Sequence, residues 1–490
     1  MLRGIKIVKN SNFVGRIEEI KQLHKIRSAN EASIILVMGR RRVGKTELVE
    51  QFFINDIVLK FEGIQTKTPD KKYQIHQSLQ RINTFTKIIK NHDKNSWTDF
   101  FYLLDDLIKT PPKNKKKIVL FFEEVQWLTS YQDDFFSELK PLWDDRFRHY
   151  KHLHIVICGS SPSFIAGQLL SDKPLYMRSP QYLFHLKPFD LYETKLFMGK
   201  KTSNYDIIFA QVCIGGIVEY LKKLKTYPSV LIGLAENSFK KNCFFLEEFE
   251  RIFVSSMSTN RNYKKIIEYL ANVKYASRES ILKRLKIKSG GGITEVLNDL
   301  ESCLFIEKYI PIHLKLKETT LSRYRLKDEY LHFYYRFIAP IRDDIEKGKY
   351  HTEPLLAIKK QQFNIFLGFN FERWCRSNSS LFAKHLGFDR IGYNDGPLYG
   401  KGDEGDNQQI DLVFIREDRH VLICEIKWGD SFDLRKTSKD CDQKIEYAKK
   451  ILKLSSKYIF EKVLISSEPV DIGAHTYFDH IITLDNLFKK

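Results

Sequence analysis

Apolar positions in the first 235 residues fall into short runs separated by longer stretches of mixed periodicity. Ser33–Met38 is a β-branched, wholly apolar run after its serine, which predicts a buried strand. A glycine-bounded loop follows, and then a helix from about Lys45 to Phe53. Ile118–Phe122 and His154–Cys158 predict two further buried strands. Strands alternating with helices call for a parallel α/β sheet. Pro111-Pro112 and the run Lys113-Asn114-Lys115-Lys116-Lys117 predict a loop before the second strand.

From about residue 236 the pattern turns helical. Tyr263–Val273, Arg278–Lys286 and Ile293–Leu300 predict three short helices. Leu304–Ile310 and Ser322–Leu326 predict two strands joined by a basic turn with Lys315 and Lys317, the element order of a winged helix. The aromatic stretch Tyr330–Ile338 predicts a core-packing helix, and the charged segment 341–358, with Pro354, a linker. Beyond it come a helix, strands at Ile410–Ile415 and Val421–Trp428, a helix at Gln443–Leu454 and a strand at Tyr458–Ser466. The expected architecture is a multidomain α/β chain, divided at 1–235, 236–345 and 355–490.

Composition narrows the class. At 490 residues, 43% hydrophobic and 29% charged, the chain is long enough for several cores and has the balance of a globular protein. No apolar run reaches the ~18 residues of a membrane helix, and Met1–Lys6 has no secretory apolar stretch. The seven cysteines are scattered and never spaced as CxxC, which predicts neither a disulfide framework nor a zinc site and fits a reducing cytoplasm. The net charge is +19. Residues 1–250 carry 39 basic and 28 acidic groups, 251–350 carry 20 and 12, and 351–490 carry 21 of each. Within 251–290 there are ten basic and two acidic residues, a candidate phosphate-binding surface and hence a candidate DNA contact. A solvated basic face is the alternative.

Gly39-Arg40-Arg41-Arg42-Val43-Gly44-Lys45-Thr46 is a complete GxxxxGK[ST] match between a predicted strand and a predicted helix. Glycines let successive backbone N–H groups converge on phosphate oxygens, and the helix N-terminus adds partial positive charge. A nucleoside triphosphate is therefore the expected ligand and Mg²⁺ its companion, with Lys45 at the β- and γ-phosphates and the Thr46 hydroxyl on the metal. Ile118–Phe122 ends in Glu123-Glu124, where carboxylates face the ligand crevice of a parallel sheet. One, Glu123, is the candidate metal ligand; Glu124 is the candidate base for the attacking water.

Phe13-Val14-Gly15-Arg16 with Glu19 and Leu23, Gly159-Ser160-Ser161, Pro174–Arg178, Gly215-Gly216 and the stretch from Arg323 to Pro340 follow in order around the phosphate loop. This set resembles the archaeal-type ATPase family of the STAND/AAA+ class. The resemblance implies an ATPase core with a helical lid, a winged helix and a C-terminal nuclease-like domain. It implies that Phe13–Arg16 flank the adenine, that Ser160 or Ser161 reads the γ-phosphate, and that Arg178 is a sensor or arginine finger. A finger would require an oligomer. Glu123 stands where the family has Asp, and Val218 where it has Pro, and both bear on turnover.

In the last domain Asp411 precedes Glu425-Ile426-Lys427 by thirteen intervening residues. Alternation along a strand puts Glu425 and Lys427 on one face, and a hairpin would bring Asp411 beside them. Glu372 adds a carboxylate from the preceding helix. Two carboxylates and a lysine suit a divalent ion and an activated water, with Asp411 and Glu425 as metal ligands. The pattern resembles the PD-(D/E)xK nuclease superfamily, which implies metal-dependent DNA cleavage. Structural ion pairs are the alternative for these charges. The third helix of the middle domain is acidic (Glu295, Asp299, Glu301), so Arg278, Lys283, Arg284, Lys286 and Lys288 suit backbone contacts to DNA better than base reading. A nucleotide-dependent switch that docks a partner on an inactive nuclease fold is the competing function.

Overall fold

The computed structural model describes residues 2–66, 68, 70–86, 96–130, 134–160, 181–256, 262–286, 290–312, 322–401 and 407–488. The N-terminal unit is a parallel five-stranded sheet of β1 (Ser33–Gly39), β2 (Ile57–Glu62), β3 (Ile118–Glu123), β4 (Leu153–Gly159) and β5 (Gln181–Leu186). Their order is β2-β3-β4-β1-β5. All three strands expected from sequence are present, and β1, β3 and β4 are buried at every position. Such strands read as continuous apolar runs because both faces are covered. Ile35 and Val37 enter one core cluster, while Ile34, Leu36 and Met38 enter the other. β2 went unpredicted because Lys60 and Glu62 interrupt its apolar run on an edge strand.

His154 on β4 is fully buried, with its Nδ1 2.7 Å from the Ser33 hydroxyl. Burial, with a smaller push from Lys117, lowers its pKa from 6.5 to about 4. The unfolded chain takes up this proton near pH 6.5 and the folded chain only near 4. Stability from this group is therefore complete above pH 6.5 and falls by ~3 kcal/mol toward pH 4. Urea unfolding of His154→Gln should show a flatter loss between those values; an acid limb identical to wild type would refute the assignment.

Helices Asn262–Ala271, Arg278–Leu285 and Gly291–Ser302 precede a two-stranded antiparallel ribbon, β6 (Ile306–Tyr309) and β7 (Arg323–Leu326). The backbone of Ala276 also pairs with Tyr324. Lys288, Lys315 and Lys317 lie outside the described residues. The aromatic stretch forms the helix Glu329–Phe333 and a π-helical turn Tyr334–Ile338, with most of its rings in the core as expected. The expected linker 341–358 is instead ordered. It holds the helix Arg342–Glu346 and a 3₁₀ turn Pro354–Ala357, because Ile345 and Pro354 are buried against neighbouring elements.

The C-terminal sheet is mixed. β8 (Tyr393–Lys401), β9 (Asn407–Arg416) and β10 (His420–Lys427) are antiparallel, and β11 (Ile459–Ser466) and β12 (His480–Thr483) add in parallel to β10. Helix Lys360–Ser377 shares a core with Leu412, Phe414, Leu422 and Cys424. Helix Leu434–Leu452, which starts nine residues before the sequence expectation, shares another with Val413, Ile415, Val421 and Ile423. All seven cysteines are free and buried. Among the described residues no helix is long and apolar enough to cross a membrane.

Candidate functional site

The C-terminal ends of β1, β3 and β4 deliver the phosphate loop, Glu123-Glu124 and Ser160 to one edge of the sheet. Gly39 and Gly44 have φ of +149° and +95°, and a Cβ on Gly39 would meet the Leu186 carbonyl at 2.5 Å. Only glycine fits such a turn. Lys45 is buried and donates to the carbonyls of Gly39 (2.9 Å) and Arg40 (3.1 Å) across its own loop.

The Thr46 hydroxyl contacts Glu123 Oε1, whose other oxygen receives Lys60 Nζ at 2.6 Å. Burial works against the Lys60 charge, but Glu123 and Glu50 outweigh it and raise its pKa. Glu124 takes a left-handed backbone (φ 48°) at the start of the helix Val125–Leu128. Its Oε2 accepts from Gln126 Nε2 (2.5 Å) and from the Ser160 hydroxyl (2.9 Å). Sequence reasoning missed Lys60 and Gln126; neither lies within a motif, and only the fold turns them toward the acidic pair.

A cavity of about 940 Å³ opens beside the loop. Phe13, Val14, Val43–Thr46 and Glu124 line it, joined by Val218 and Lys222 from the helix Val218–Lys225. Its volume suits a nucleotide. Arg16 ties its wall together, with guanidinium donations to the carbonyls of Val43 (2.7 Å) and Lys187 (2.9 Å) and a cation–π contact with Phe189 at 4.7 Å. Its own N–H donates to Glu193 at 2.6 Å.

The loop arginines do not share one destination. Arg41 and Arg42 line the cavity. Arg40 is buried, ion-paired with Asp328, and donates to the Tyr220 hydroxyl at 3.0 Å. Arg42 pairs with Glu248 at 2.9 Å and lies over the Phe244 ring. The Arg40 and Arg42 guanidiniums are thus committed to later helices, although their backbone amides remain part of the loop. Arg178 and Ser161 lie outside the described residues.

A second group forms in the C-terminal domain. Glu425 and Lys427 share the strand parity of Val421 and Ile423, in the core facing Leu434–Leu452, and β9 and β10 pair as the expected hairpin. Glu425 receives Lys427 at 2.9 Å and Lys444 at 2.5 Å. Asp411 receives Arg376 at 3.0 Å and Gln409 at 2.5 Å. Burial, then the neighbouring Asp411, pushes the Glu372 carboxyl up to about 8. No sequence pattern points to Lys444 or Arg376, which come from helices packed on opposite faces. Among the described residues no three His, Cys, Asp or Glu side chains are grouped to hold a metal ion.

Residues 13–224 match a family described as an ATPase domain predominantly from Archaea. The parallel-sheet unit is therefore an ATP-binding ATPase domain. Residues 334–443 match a second family, described as archaeal and bacterial proteins of unknown function. An uncharacterized protein of Methanocaldococcus jannaschii is 26% identical over 443 residues, 88% of this chain and 91% of that protein. An uncharacterized ATP-binding protein of the same organism is 46% identical over 43 residues, 9% of this chain and 73% of that one. Among solved structures, a Walker-type ATPase of Pyrococcus abyssi is similar at a TM-score of 0.47 and 19% identity, covering 69% of this chain and 99% of its own. The ORC2 protein of Aeropyrum pernix is similar at 0.44 and 13%, covering 69% and 97%.

Proposed function

We propose that the chain hydrolyses ATP in the cavity beside Gly39–Thr46 and acts on DNA through its C-terminal domain. The observation that carries the first half is the convergence of the loop, Glu124 and Ser160 at one sheet edge. The loop amides and Lys45 would bind the phosphates, Lys45 exchanging its two carbonyl partners for β- and γ-oxygens. Thr46 Oγ1 and Glu123 Oε1 touch, and both are hard oxygen donors, so they fit Mg²⁺. The ion supplies charge neutralisation on the phosphates. Glu124, held by Gln126 and Ser160, would orient the attacking water and accept its proton. Glu124→Gln should retain ATP affinity while turnover falls ~10²–10⁴-fold. Calorimetry and a phosphate-release assay measure the two separately, and wild-type turnover in the variant would remove Glu124 from the mechanism.

For the second half, Asp411, Glu425 and Lys427 are proposed to cut a phosphodiester bond. Lys444 acts electrostatically on both carboxylates. The pair already hosts a cation, and its oxygens fit a divalent one. Glu372, protonated near neutrality, would sit beside Asp411 without adding charge. Nicking of plasmid with Mg²⁺ or Mn²⁺ should vanish in Asp411→Ala and Lys427→Ala; nicking that survives both belongs to another protein. One observation favours the competing reading of a switch with a non-cutting domain. Both oxygens of Glu425 are already taken by ammonium groups. That reading requires tight ATP binding, turnover near background and no nicking, and nicking that tracks Glu425 excludes it. Arg178 as a finger supplied to a neighbouring copy belongs to the same proposal.

A further inference from the structure

A second cavity, of about 530 Å³, lies where the segment 271–340 meets the helix Lys360–Ser377 and β8–β9. Five cationic side chains line it: Lys274, Arg325, Arg336, Arg373 and Arg376. One carboxylate, Glu372, lines it with them. Arg376 is paired with Asp411 and Arg325 with Glu307. Lys274 donates to neutral Gln409, and Arg373 to the amide of Asn370. Arg336 is exposed. Arg325 is only 7% exposed, yet its Nη1 has no partner, and Arg376 Nε is likewise buried and unpartnered.

Buried guanidinium donors without acceptors are costly, and these two belong to arginines that line the cavity. Burial, with Arg376 and Arg325 beside it, pushes Arg373 down to about 9. An anion would reverse that penalty.

Part of the remaining lining is aromatic. Phe369, half exposed, and Tyr399 border the cavity. The Tyr399 ring lies 5.5 Å from that of Tyr275, and the Arg323 guanidinium covers both rings. Cations for phosphates beside flat rings for bases are the parts of a single-strand site. The volume holds about one nucleotide, and the Tyr275–Arg323–Tyr399 ledge extends beyond it, which a free mononucleotide would leave unused.

We propose that this cavity and its ledge bind single-stranded DNA, one nucleotide entering with its phosphate among Lys274, Arg336 and Arg373. Arg376 joins the cavity to Asp411, so the strand would pass beside the carboxylates of the C-terminal group. The inference rests on the reading that the chain acts on DNA and does not require that it cuts.

The test is anisotropy of a 3′-labelled eight-nucleotide single strand with the full chain across a salt series. Lys274 and Arg336 are exposed, so Lys274→Gln/Arg336→Gln should fold, and its unchanged ATPase rate will show it. We expect its affinity to fall at least about tenfold and its salt slope to drop by more than one. Affinity within twofold of wild type overturns the site. Deoxyadenosine monophosphate or inorganic phosphate competing as well as the unlabelled strand overturns the strand as ligand. Binding that survives in Asp411→Ala while nicking is absent even from wild type keeps this site and removes only the cleavage reading.

Discussion

Lys45→Ala will turn ATP over at least about a hundredfold more slowly than wild type, with affinity for a non-hydrolysable analogue lowered in parallel. Loss of one preorganised donor to developing negative charge has that magnitude in other enzymes. The ammonium donates to the carbonyls of Gly39 and Arg40. Lys45 itself lines the cavity, so the alanine variant should unfold within a few degrees of wild type. The two readouts separate a dead site from a broken fold. Calorimetric titration and steady-state phosphate release decide it: wild-type heat and rate in the variant would mean that the triphosphate lies elsewhere.

Arg40→Ala will behave in the opposite way, losing stability first. Its guanidinium and the Asp328 carboxylate are both almost fully enclosed, with side-chain exposures of 4% and 1%. Removing one member of such a pair leaves a buried charge alone and costs ~3–5 kcal/mol. Asp328 also accepts from Leu331 N–H at 2.8 Å, capping the helix Glu329–Phe333. Arg40 also lies over Phe305 and Tyr220, so its loss should loosen the seat of the ribbon segment on the ATPase domain. Arg40→Met combined with Asp328→Leu should recover much of the loss, since no unpaired charge remains. Thermal unfolding and limited proteolysis between 240 and 340 measure both; an Arg40→Ala midpoint equal to wild type would show the pair contributes nothing. The same pair places the phosphate loop in mechanical contact with a residue nearly three hundred positions away.

The legibility of the chain differed from region to region. β1, β3 and β4 were readable because strands buried on both faces must be apolar throughout. β2, β8 and β12 were not, since edge or mixed strands carry charges and polar residues. The expected linker proved to be packed structure, because two buried residues in a charged segment leave no periodic pattern.

By itself the sequence determined the phosphate loop, since closely spaced glycines and a Lys-Thr pair have one strong physical use at the end of a buried strand. It also determined the acidic pair at the end of β3 and the strand parity joining Glu425 to Lys427. Only the tertiary structure decided which cations reach those carboxylates. Lys60, Lys444 and Arg376 are remote in sequence, and a charge acts through space over a few ångströms whatever its position along the chain. The arginines of the loop make the same point. Three successive identical side chains carry no local signal that separates them, and the elements packed around the loop leave Arg41 and Arg42 at the cavity, Arg42 also paired with Glu248, and send Arg40 into a buried ion pair with Asp328.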